Sequence, residues 1–200
     1  MKTLVIIGHP NTSSFCNALA NHYAQAAQAN GAEVEVLDLA TLQFDPHLHT
    51  GFQHEQPLEP DLQRAQRLIT WSDHICIVTP TWWGSMPALL KGFIDRVFLP
   101  GFAFKYRSGS MLPEQLLKGR SGRLILTTDT PPLLLQYFMG DPSARILGRN
   151  VLQFCGVRPV RASRFGPIRG TTPEQRTKYL NAAEALARKD HRRQRQSAFA

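Results

Sequence analysis

Short apolar runs alternate along the chain with longer stretches in which apolar residues recur at helical spacing. The runs Leu4–Ile7, His74–Val78 and Arg123–Thr127 are nearly continuous, which is typical of strands buried on both faces of a sheet. Glu33–Leu39 alternates apolar with polar residues, and Val157–Phe165 is the last segment of strand character. The pattern therefore predicts five strands.

The segments between these runs predict helices, because their apolar residues recur every three or four positions. They are Ser14–Asn30, Asp61–Trp71, a helix opened by Pro87, a short helix near Pro113–Lys118, a helical region that ends near Phe154, and Pro173–Arg188. The helix after Pro87 has an apolar stripe made of Leu89, Leu90, Phe93, Ile94, Val97 and Phe98. Lys91 and Asp95 are predicted to pair on its other side.

Strands that alternate with helices predict a parallel sheet covered by helices on both faces. Five strands in this rhythm are typical of a doubly wound α/β fold of the flavodoxin-like kind, with strand order 2-1-3-4-5. We expect one domain over residues 1–190 and a basic, frayed tail over residues 191–200. Residues 42–60, which are rich in proline and histidine, are expected to form an ordered excursion from this pattern.

Three loops are candidates for a binding site, because ligands of such sheets bind beyond the carboxyl ends of the strands. They are Gly8–Phe15, Pro80–Met86 and Thr127–Pro132. In the first, small polar residues precede a helix whose free N–H groups and dipole favour an anion. The alternative is a plain helix cap formed by Ser13 or Ser14. The loop lacks the glycine patterns of dinucleotide and triphosphate sites.

Trp82 and Trp83 lie on the second loop, where two large aromatic side chains are badly placed for a core. They suit a platform for a flat ligand, and the alternative is an oligomer interface. In the third loop, the hydroxyl groups of Thr127, Thr128 and Thr130 suit the polar edge of a heterocycle, and the alternative is a threonine-rich strand end. We expect the three loops to meet at one end of the sheet.

Other chemistries are not favoured. His47, His49 and His54 lie in a proline-rich loop without companion cysteines, so we expect no metal site. No Gly-x-Ser-x-Gly motif is present, which speaks against a hydrolase. Three widely spaced cysteines, and an N-terminal apolar run too short for a signal peptide, favour a reduced, cytoplasmic protein.

The formal net charge of +8 gives little support to nucleic-acid binding. About half of the excess lies between Arg188 and Arg195, near the C-terminus. A solvated helix end explains that charge more simply than contact with nucleic acid or a membrane surface.

Several stretches carry a family resemblance: Leu4–Phe15, Pro80–Phe98, Gly101–Phe104, Leu126–Thr128 and Phe154–Gly156. Within them, Trp83–Phe98 follows the specific pattern Trp-Gly-x-x-Pro-Ala-x-Leu-Lys-Gly-aromatic-x-acid-Arg-Val-Phe. The sequence thereby resembles the NAD(P)H dehydrogenase (quinone) family. This flavodoxin-like group includes DT-diaphorase and the ancillary oxidoreductases of bacterial potassium-efflux systems.

The resemblance implies a bound flavin and assigns residues to its parts. The phosphate and ribityl chain would lie near His9, Phe15, Cys16 and Asn17. The isoalloxazine ring would lie along Pro80, Thr81, Trp82, Trp83 and Gly84, with its pyrimidine edge near Thr127, Thr128, Asp129 and Thr130. Phe102 and Phe104 would wall the substrate slot, and Tyr137 is the nearest match to the tyrosine that relatives place over the substrate. Asp129-Thr130 stands where relatives often have Gly-Gly, so a carboxylate would adjoin the ring unless it turned away.

The implied activity is the transfer of a hydride from NAD(P)H through the flavin to a quinone or similar flat acceptor, with ping-pong kinetics. FMN is the expected cofactor, with FAD as the alternative, and a homodimer is the expected assembly. A second interpretation is a flavin-binding regulatory subunit of a membrane transporter such as a potassium-efflux system, with the basic tail as its docking element. An electron-transfer flavodoxin is disfavoured, because its partner recognition usually relies on a strongly acidic surface.

Gly92 interrupts the amphipathic helix that follows Pro87, at a cost of about 1 kcal/mol relative to alanine. We expect this glycine to permit the close approach of another backbone, which a dimer could supply.

Overall fold

The computed structural model describes residues 1–51, 53–107, 109–110 and 112–197, and for residues 193–197 the backbone alone. Residues 198–200 of the predicted tail lie outside the described part. The strands are β1 (Lys2–Ile7), β2 (Glu33–Asp38), β3 (His74–Pro80), β4 (Phe104–Lys105), β5 (Glu114–Gln115), β6 (Ser121–Thr127) and β7 (Val160–Phe165). The helices are α1 (Phe15–Ala29), α2 (Pro60–Trp71), α3 (Ala88–Val97), α4 (Pro132–Tyr137), α5 (Pro142–Ala144) and α6 (Pro173–Ser197). A 3-10 turn spans Leu39–Thr41, and π-type turns extend α5 over Arg145–Gln153.

One parallel sheet organises the chain, in the order β2-β1-β3-β6-β7. This is the predicted order 2-1-3-4-5 of the five main strands, and the prediction is confirmed. The central strands β3 and β6 are buried along their whole length, as their apolar runs require. Strand order reverses beside β1, so the loops after β1 and β3 frame a crevice at the carboxyl ends of the strands.

Helices cover both faces of the sheet, and each face has its own apolar core. Alternate residues of β1 point to opposite faces of the sheet and so belong to different cores. Leu4 and Ile6 belong to the core beneath α2 and α3. Val5 and Ile7 join the core beneath α1 and α6. Among the described helices, none combines the length and the apolar character that crossing a membrane requires.

Two predicted elements differ from the structure. The helix expected near Pro113–Lys118 is wrong, because Glu114 and Gln115 form strand β5, which pairs antiparallel with β4. The amide of Gln115 also donates to the carbonyl oxygens of Gln153 and Phe154, which fixes the hairpin against the π-type turns. The last helix continues past the predicted end at residue 188, to Ser197.

Gly92 lies in α3 against Pro46, in the excursion between the 3-10 turn and α2. A Cβ atom built on Gly92 would lie 2.4 Å from Cβ and 2.6 Å from the carbonyl oxygen of Pro46. The expected close approach of a backbone is therefore present, but it comes from the same chain. Arg96, one turn further along α3, holds the excursion through Glu59 and the carbonyl oxygens of Asp45 and Pro57.

A buried polar cluster joins α6 to the centre of the sheet. The Asp190 carboxylate accepts two hydrogen bonds from the Arg123 guanidinium, at 2.7 and 2.5 Å, and one from the Tyr23 hydroxyl at 3.1 Å. His74 Nε2 lies 3.0 Å from the Tyr23 oxygen, and His74 Nδ1 lies 2.6 Å from the Ser121 oxygen. Since Tyr23 donates to Asp190, His74 must donate to Tyr23 from Nε2 and accept from Ser121 at Nδ1. Asp190 is thus part of the core and not of a solvated charge run.

We expect His74 to make the fold less stable in acid. Burial lowers the pKa of His74 from 6.5 to about 4, with Arg123 and Arg161 acting in the same direction and Asp190 against it. Between these two values the unfolded chain binds the proton and the folded chain does not. Stability is therefore full above pH 6.5 and falls as the pH is lowered towards 4, by about 3 kcal/mol from this residue.

Urea unfolding at pH 7.5 and pH 4.5 measures this effect. His74→Gln should lose less stability on acidification than the wild type, and His54→Gln, in an exposed loop, should lose the same amount as the wild type. Equal losses in all three proteins would show that His74 does not control the acid response.

Candidate functional site

The three loops at the carboxyl ends of β1, β3 and β6 enclose one cavity of about 390 Å³. Its volume lies near the lower end of the range for small-molecule sites. The cavity is lined by His9, Asn11, Ser14, Phe15, Cys16, Pro80, Thr81, Trp82, Thr127, Thr128, Asp129, Ile168 and Arg176. The loops are tied together directly, since the Thr81 N–H donates to the Thr127 carbonyl oxygen at 2.7 Å.

The first loop ends in a capped helix that leaves backbone donors at the cavity. Ser14 is the N-cap of α1, and its side chain accepts a hydrogen bond from the N–H of Asn17. The N–H groups of Phe15 and Cys16 are in the first turn, where no carbonyl group of the helix can reach them. The cap expected at Ser14 is therefore present, and it leaves the N–H groups of Phe15 and Cys16, two residues of the cavity lining, without a partner in the helix.

His9 lines the cavity as a neutral imidazole. The N–H of Asn11 donates to His9 Nδ1 at 2.9 Å, so the ring proton lies on Nε2. Burial lowers the pKa of His9, although Asp38 nearby raises it. The ring packs edge-on against Trp82, with centroids 5.6 Å apart. His9 is thus available as a hydrogen-bond donor at neutral pH.

Cys16 is a protonated thiol. Its sulfur lies 3.3 Å from the Thr127 hydroxyl oxygen, and burial raises its pKa to about 11. A thiol with such a pKa does not serve as a nucleophile at neutral pH.

The second loop contributes Trp82 to the cavity and turns Trp83 outward. Trp83 has a φ of +52°, in the left-handed region that bulky residues rarely adopt, and is fully exposed at 104%. Gly84 follows with a φ of +69°, and the turn is closed by two hydrogen bonds between the backbones of Trp82 and Ser85. The Ser143 hydroxyl donates to the Ser85 carbonyl oxygen at 2.8 Å, which ties the turn to α5.

The carboxylate of the third loop is bonded to a segment outside the three loops. Asp129 Oδ1 accepts a hydrogen bond from the Arg169 N–H at 2.7 Å, so the acid is held by the segment after β7. The Ile168 N–H donates to the Thr128 carbonyl oxygen at 3.1 Å. Gly166 makes this contact fit, because a Cβ there would lie 2.4 Å from the Thr128 oxygen. Asp129, which stands where relatives often have glycine, thus helps to hold the segment after β7 in place as a further wall of the cavity.

Sequence reasoning missed part of that wall. Ile168 and Arg176 reach the cavity from the segment after β7 and from the first turns of α6. The guanidinium of Arg176 lies 5.3 Å from the centre of the Phe15 ring, in cation–π contact, and its Nε donates to the Thr171 hydroxyl. The sequence pattern of residues 166–176 predicts a loop and the start of a helix. It does not indicate that this segment lines the cavity.

The structure does not bring every predicted site residue to the cavity. Asn17 is the third residue of α1, where its amide donates to Asp38 at 2.7 Å. The Thr130 N–H donates to the Thr128 hydroxyl, and Thr130 is not among the lining residues. Trp83 and Gly84 lie outside the lining because the left-handed turn directs them outward.

The predicted substrate residues also lie elsewhere in this chain. Phe102 lines a separate cavity beside the excursion, and the Phe104 ring packs edge-on against Phe154 with centroids 5.1 Å apart. Tyr137 is 72% exposed on α4. The excursion holds His47 and His49, both of which bond to the Asp45 carboxylate.

One buried polar atom of the cavity wall is unpaired within the described residues. The Thr81 hydroxyl oxygen is inaccessible to solvent and forms no hydrogen bond with the described residues. A buried hydroxyl group without a partner is unfavourable, so its place in the wall indicates an incoming ligand that supplies the partner. The donor set of the cavity fits a flavin, because free N–H groups and Arg176 suit its phosphate and Thr81 and Trp82 suit its ring.

Comparison with known proteins agrees with this architecture. The family model described as flavodoxin-like fold matches residues 1–189, so the chain belongs to that flavodoxin-like family. An uncharacterised NAD(P)H oxidoreductase of Haemophilus influenzae is 34% identical over 84% of this chain and 85% of its own length. NAD(P)H dehydrogenase (quinone) 1 of Cavia porcellus is 29% identical over 90% of this chain and 73% of its own length. The crystal structure of Smu.1420 from Streptococcus mutans is 31% identical, covers 94% of this chain and 100% of its own, and superposes with a TM-score of 0.80. The resemblance noted in the sequence is confirmed.

Proposed function

We propose that the chain is a flavin-dependent NAD(P)H:quinone oxidoreductase that carries two electrons from NAD(P)H to a quinone or similar flat acceptor. The cavity with its unpartnered Thr81 hydroxyl group is the observation that carries the proposal. The names of the similar proteins supply the reaction class, since one is an NAD(P)H oxidoreductase and another an NAD(P)H dehydrogenase of quinones. FMN is the proposed cofactor because the cavity is compact, at about 390 Å³.

Each part of the cavity suits one part of a flavin. The N–H groups of Phe15 and Cys16 and the positive end of the α1 dipole suit the phosphate, with Arg176 as a counter-charge. The Thr81 hydroxyl and the Trp82 ring suit the polar edge and the face of the isoalloxazine. A bound flavin supplies the hydride chemistry between NAD(P)H and the acceptor.

The residues of the chain would hold the ring and exclude water from it. Trp82 and Ile168 wall the cavity with apolar surface, and neutral His9 can donate from Nε2. The protonated Cys16 thiol adds no competing nucleophile. Because donor and acceptor would share one slot, steady-state rates are expected to give parallel double-reciprocal lines.

Thr81→Val tests the site without disturbing the fold. The change keeps the side-chain shape and removes a hydroxyl group that has no partner in the described part of the chain. We therefore expect flavin to bind about five- to tenfold more weakly, the loss of one hydrogen bond, while the flavin-free protein unfolds at the same or a higher temperature. Fluorescence titration with FMN and with FAD measures the affinity.

Thr79→Val is the matched control, because the buried Thr79 hydroxyl donates to the Gly8 carbonyl oxygen and does not line the cavity. It should lower stability and leave flavin affinity unchanged. A wild-type protein that binds neither flavin would refute the proposal, as would equal flavin affinities in Thr81→Val and the wild type.

We also propose that the chain forms a homodimer. Large apolar side chains are exposed on the Trp loop, on α4 and directly after it, namely Trp83, Leu133, Leu134, Tyr137, Phe138 and Met139. Such surfaces on a folded protein are usually covered by a partner. Native mass spectrometry of the purified protein measures the oligomeric state and the mass of the bound flavin together. A monomer would contradict the proposed homodimer and leave the proposed flavin binding untouched.

A further inference from the structure

A second concave surface lies between the β4–β5 hairpin and the π-type turns after α5. This groove has a volume of about 1050 Å³. Four cationic side chains line it, Arg107, Lys118, Arg149 and Arg158, with one carboxylate, Glu114. We refer to it as the basic groove.

Among the residues that the structure describes, three of the four cations have no counter-charge. Arg107 is paired with Glu114, with Nη2 and Oε2 2.8 Å apart. In the part of the chain that the structure describes, the side chains of Lys118, Arg149 and Arg158 form no ion pair and no hydrogen bond. They come from three separate segments, so the fold and not a charged run of sequence brings them together. Like charges around one concavity repel each other and create a positive potential that an anion relieves.

The remaining lining indicates what kind of anion fits. Phe154 presents a partly exposed aromatic ring, at 37%, and Asn150 presents an exposed side-chain amide. Arginine and lysine side chains bind phosphate oxygens, whereas aromatic rings stack on bases and amides bond to base edges. The combination of three free cations, a ring and an amide in one groove matches a phosphorylated nucleotide.

The basic groove is separate from the cavity at the loops. The Arg158 N–H donates to the carbonyl oxygen of Arg120, which precedes β6, whereas the cavity follows Thr127 at the other end of that strand. Seven strand residues lie between the two places, a span of about 20 Å. The described residues of the two linings do not overlap, so both sites can be occupied at once.

We propose that the basic groove binds the phosphate groups of a nucleotide. The nucleotide is a nucleoside phosphate separate from the electron donor, because the groove lies about 20 Å from the cavity in which the donor would react. The proposal concerns binding and does not depend on the flavin reaction.

Isothermal titration of the purified protein with ADP, inorganic pyrophosphate and adenosine tests the proposal. ADP and pyrophosphate are expected to bind the wild type, and adenosine is expected to bind far more weakly. The double variant Arg149→Gln/Arg158→Gln should lower ADP affinity at least tenfold. Arg145→Gln removes a charge from the same turns outside the groove and should leave the affinity unchanged.

The proposal is overturned if ADP and pyrophosphate do not bind, or if the double variant binds ADP as the wild type does. Binding of heparin or anionic vesicles without binding of ADP would overturn it too, since that result indicates a macromolecular partner. If the double variant does not fold, Lys118→Gln alone is expected to weaken ADP binding at least threefold, and an unchanged affinity refutes the proposal.

Steady-state kinetics of the same variants checks that the groove is not the donor site. The KM for NADPH or NADH in Arg149→Gln/Arg158→Gln should equal that of the wild type, and a raised KM would overturn the proposal of a separate nucleotide. The titrations need no turnover, so a failure of the groove and a failure of the proposed function remain distinguishable.

Discussion

Replacing Asp190 by alanine is expected to lower the free energy of unfolding by about 3 to 5 kcal/mol. The carboxylate is 4% exposed and accepts both hydrogen bonds of a bidentate pair with Arg123, itself 3% exposed. Its loss leaves a guanidinium group buried without a counter-charge, and the Tyr23 hydroxyl group loses its acceptor. Urea unfolding of the flavin-free protein measures the change as a lower midpoint at an unchanged slope.

Two further variants show whether burial is the cause. Asp95→Ala removes the acid of an exposed pair with Lys91 and should change stability by less than about 1 kcal/mol. The double variant Arg123→Met/Asp190→Leu removes both charges and should recover most of the stability lost in Asp190→Ala. If Asp190→Ala costs no more than Asp95→Ala, the pair does not hold α6 to the sheet.

Gly92→Ala is expected to destabilise the protein by about 2 to 3 kcal/mol through overpacking. The new methyl group would lie 2.4 Å from Pro46 Cβ and 2.6 Å from the Pro46 carbonyl oxygen, so the excursion must move away from α3. The gain in helix propensity, about 1 kcal/mol, is too small to offset this. Thermal or urea unfolding of the flavin-free protein measures the loss.

Gly148→Ala is the matched control, because it makes the same change in the π-type turns. Its Cβ would lie 3.5 Å from Leu124 Cδ1 and 3.6 Å from Val160 Cγ1, which are ordinary contacts. It should leave stability unchanged or raise it by up to about 1 kcal/mol, by restricting the unfolded chain. Similar effects at both positions would show that the contact with Pro46 is not decisive.

The main sheet is predictable from the sequence because each strand is a short run bounded by amphipathic helices. The hairpin is not, because its pairing joins Phe104 to Gln115 across a loop and is fixed by the distant carbonyl oxygens of Gln153 and Phe154. The local pattern at Pro113–Lys118 resembles a helix start, and only contacts far along the chain select the strand.

The burial of Asp190 had a signal that local reasoning overlooked. Arg123 is a charged residue inside an otherwise apolar strand, and a buried guanidinium requires an anion. The sequence nevertheless places Asp190 within a run of basic residues, and such a run is usually exposed to solvent at the end of a helix. The spacing of residues in α6 does not show that this helix packs over β6, where Arg123 lies.

The cavity was predictable in its three loops because the carboxyl ends of parallel strands meet at one edge. Its fourth wall was not, since Ile168 and Arg176 follow the edge strand β7 and reach the cavity only because that segment packs closely on Thr128 at Gly166. The left-handed backbone at Trp83 places Trp82 in the cavity wall and Trp83 in solvent. The sequence alone does not predict this backbone conformation.

The contact of Gly92 with Pro46 also limits how this sequence can vary over time. Two of the three nearest Pro46 atoms, the carbonyl oxygen and Cα, are backbone atoms that any residue at position 46 would keep. No substitution at position 46 can therefore open space for a side chain at position 92. Only an insertion or deletion that reroutes the excursion would release the glycine, so the length of that segment and the identity of residue 92 should change together or not at all.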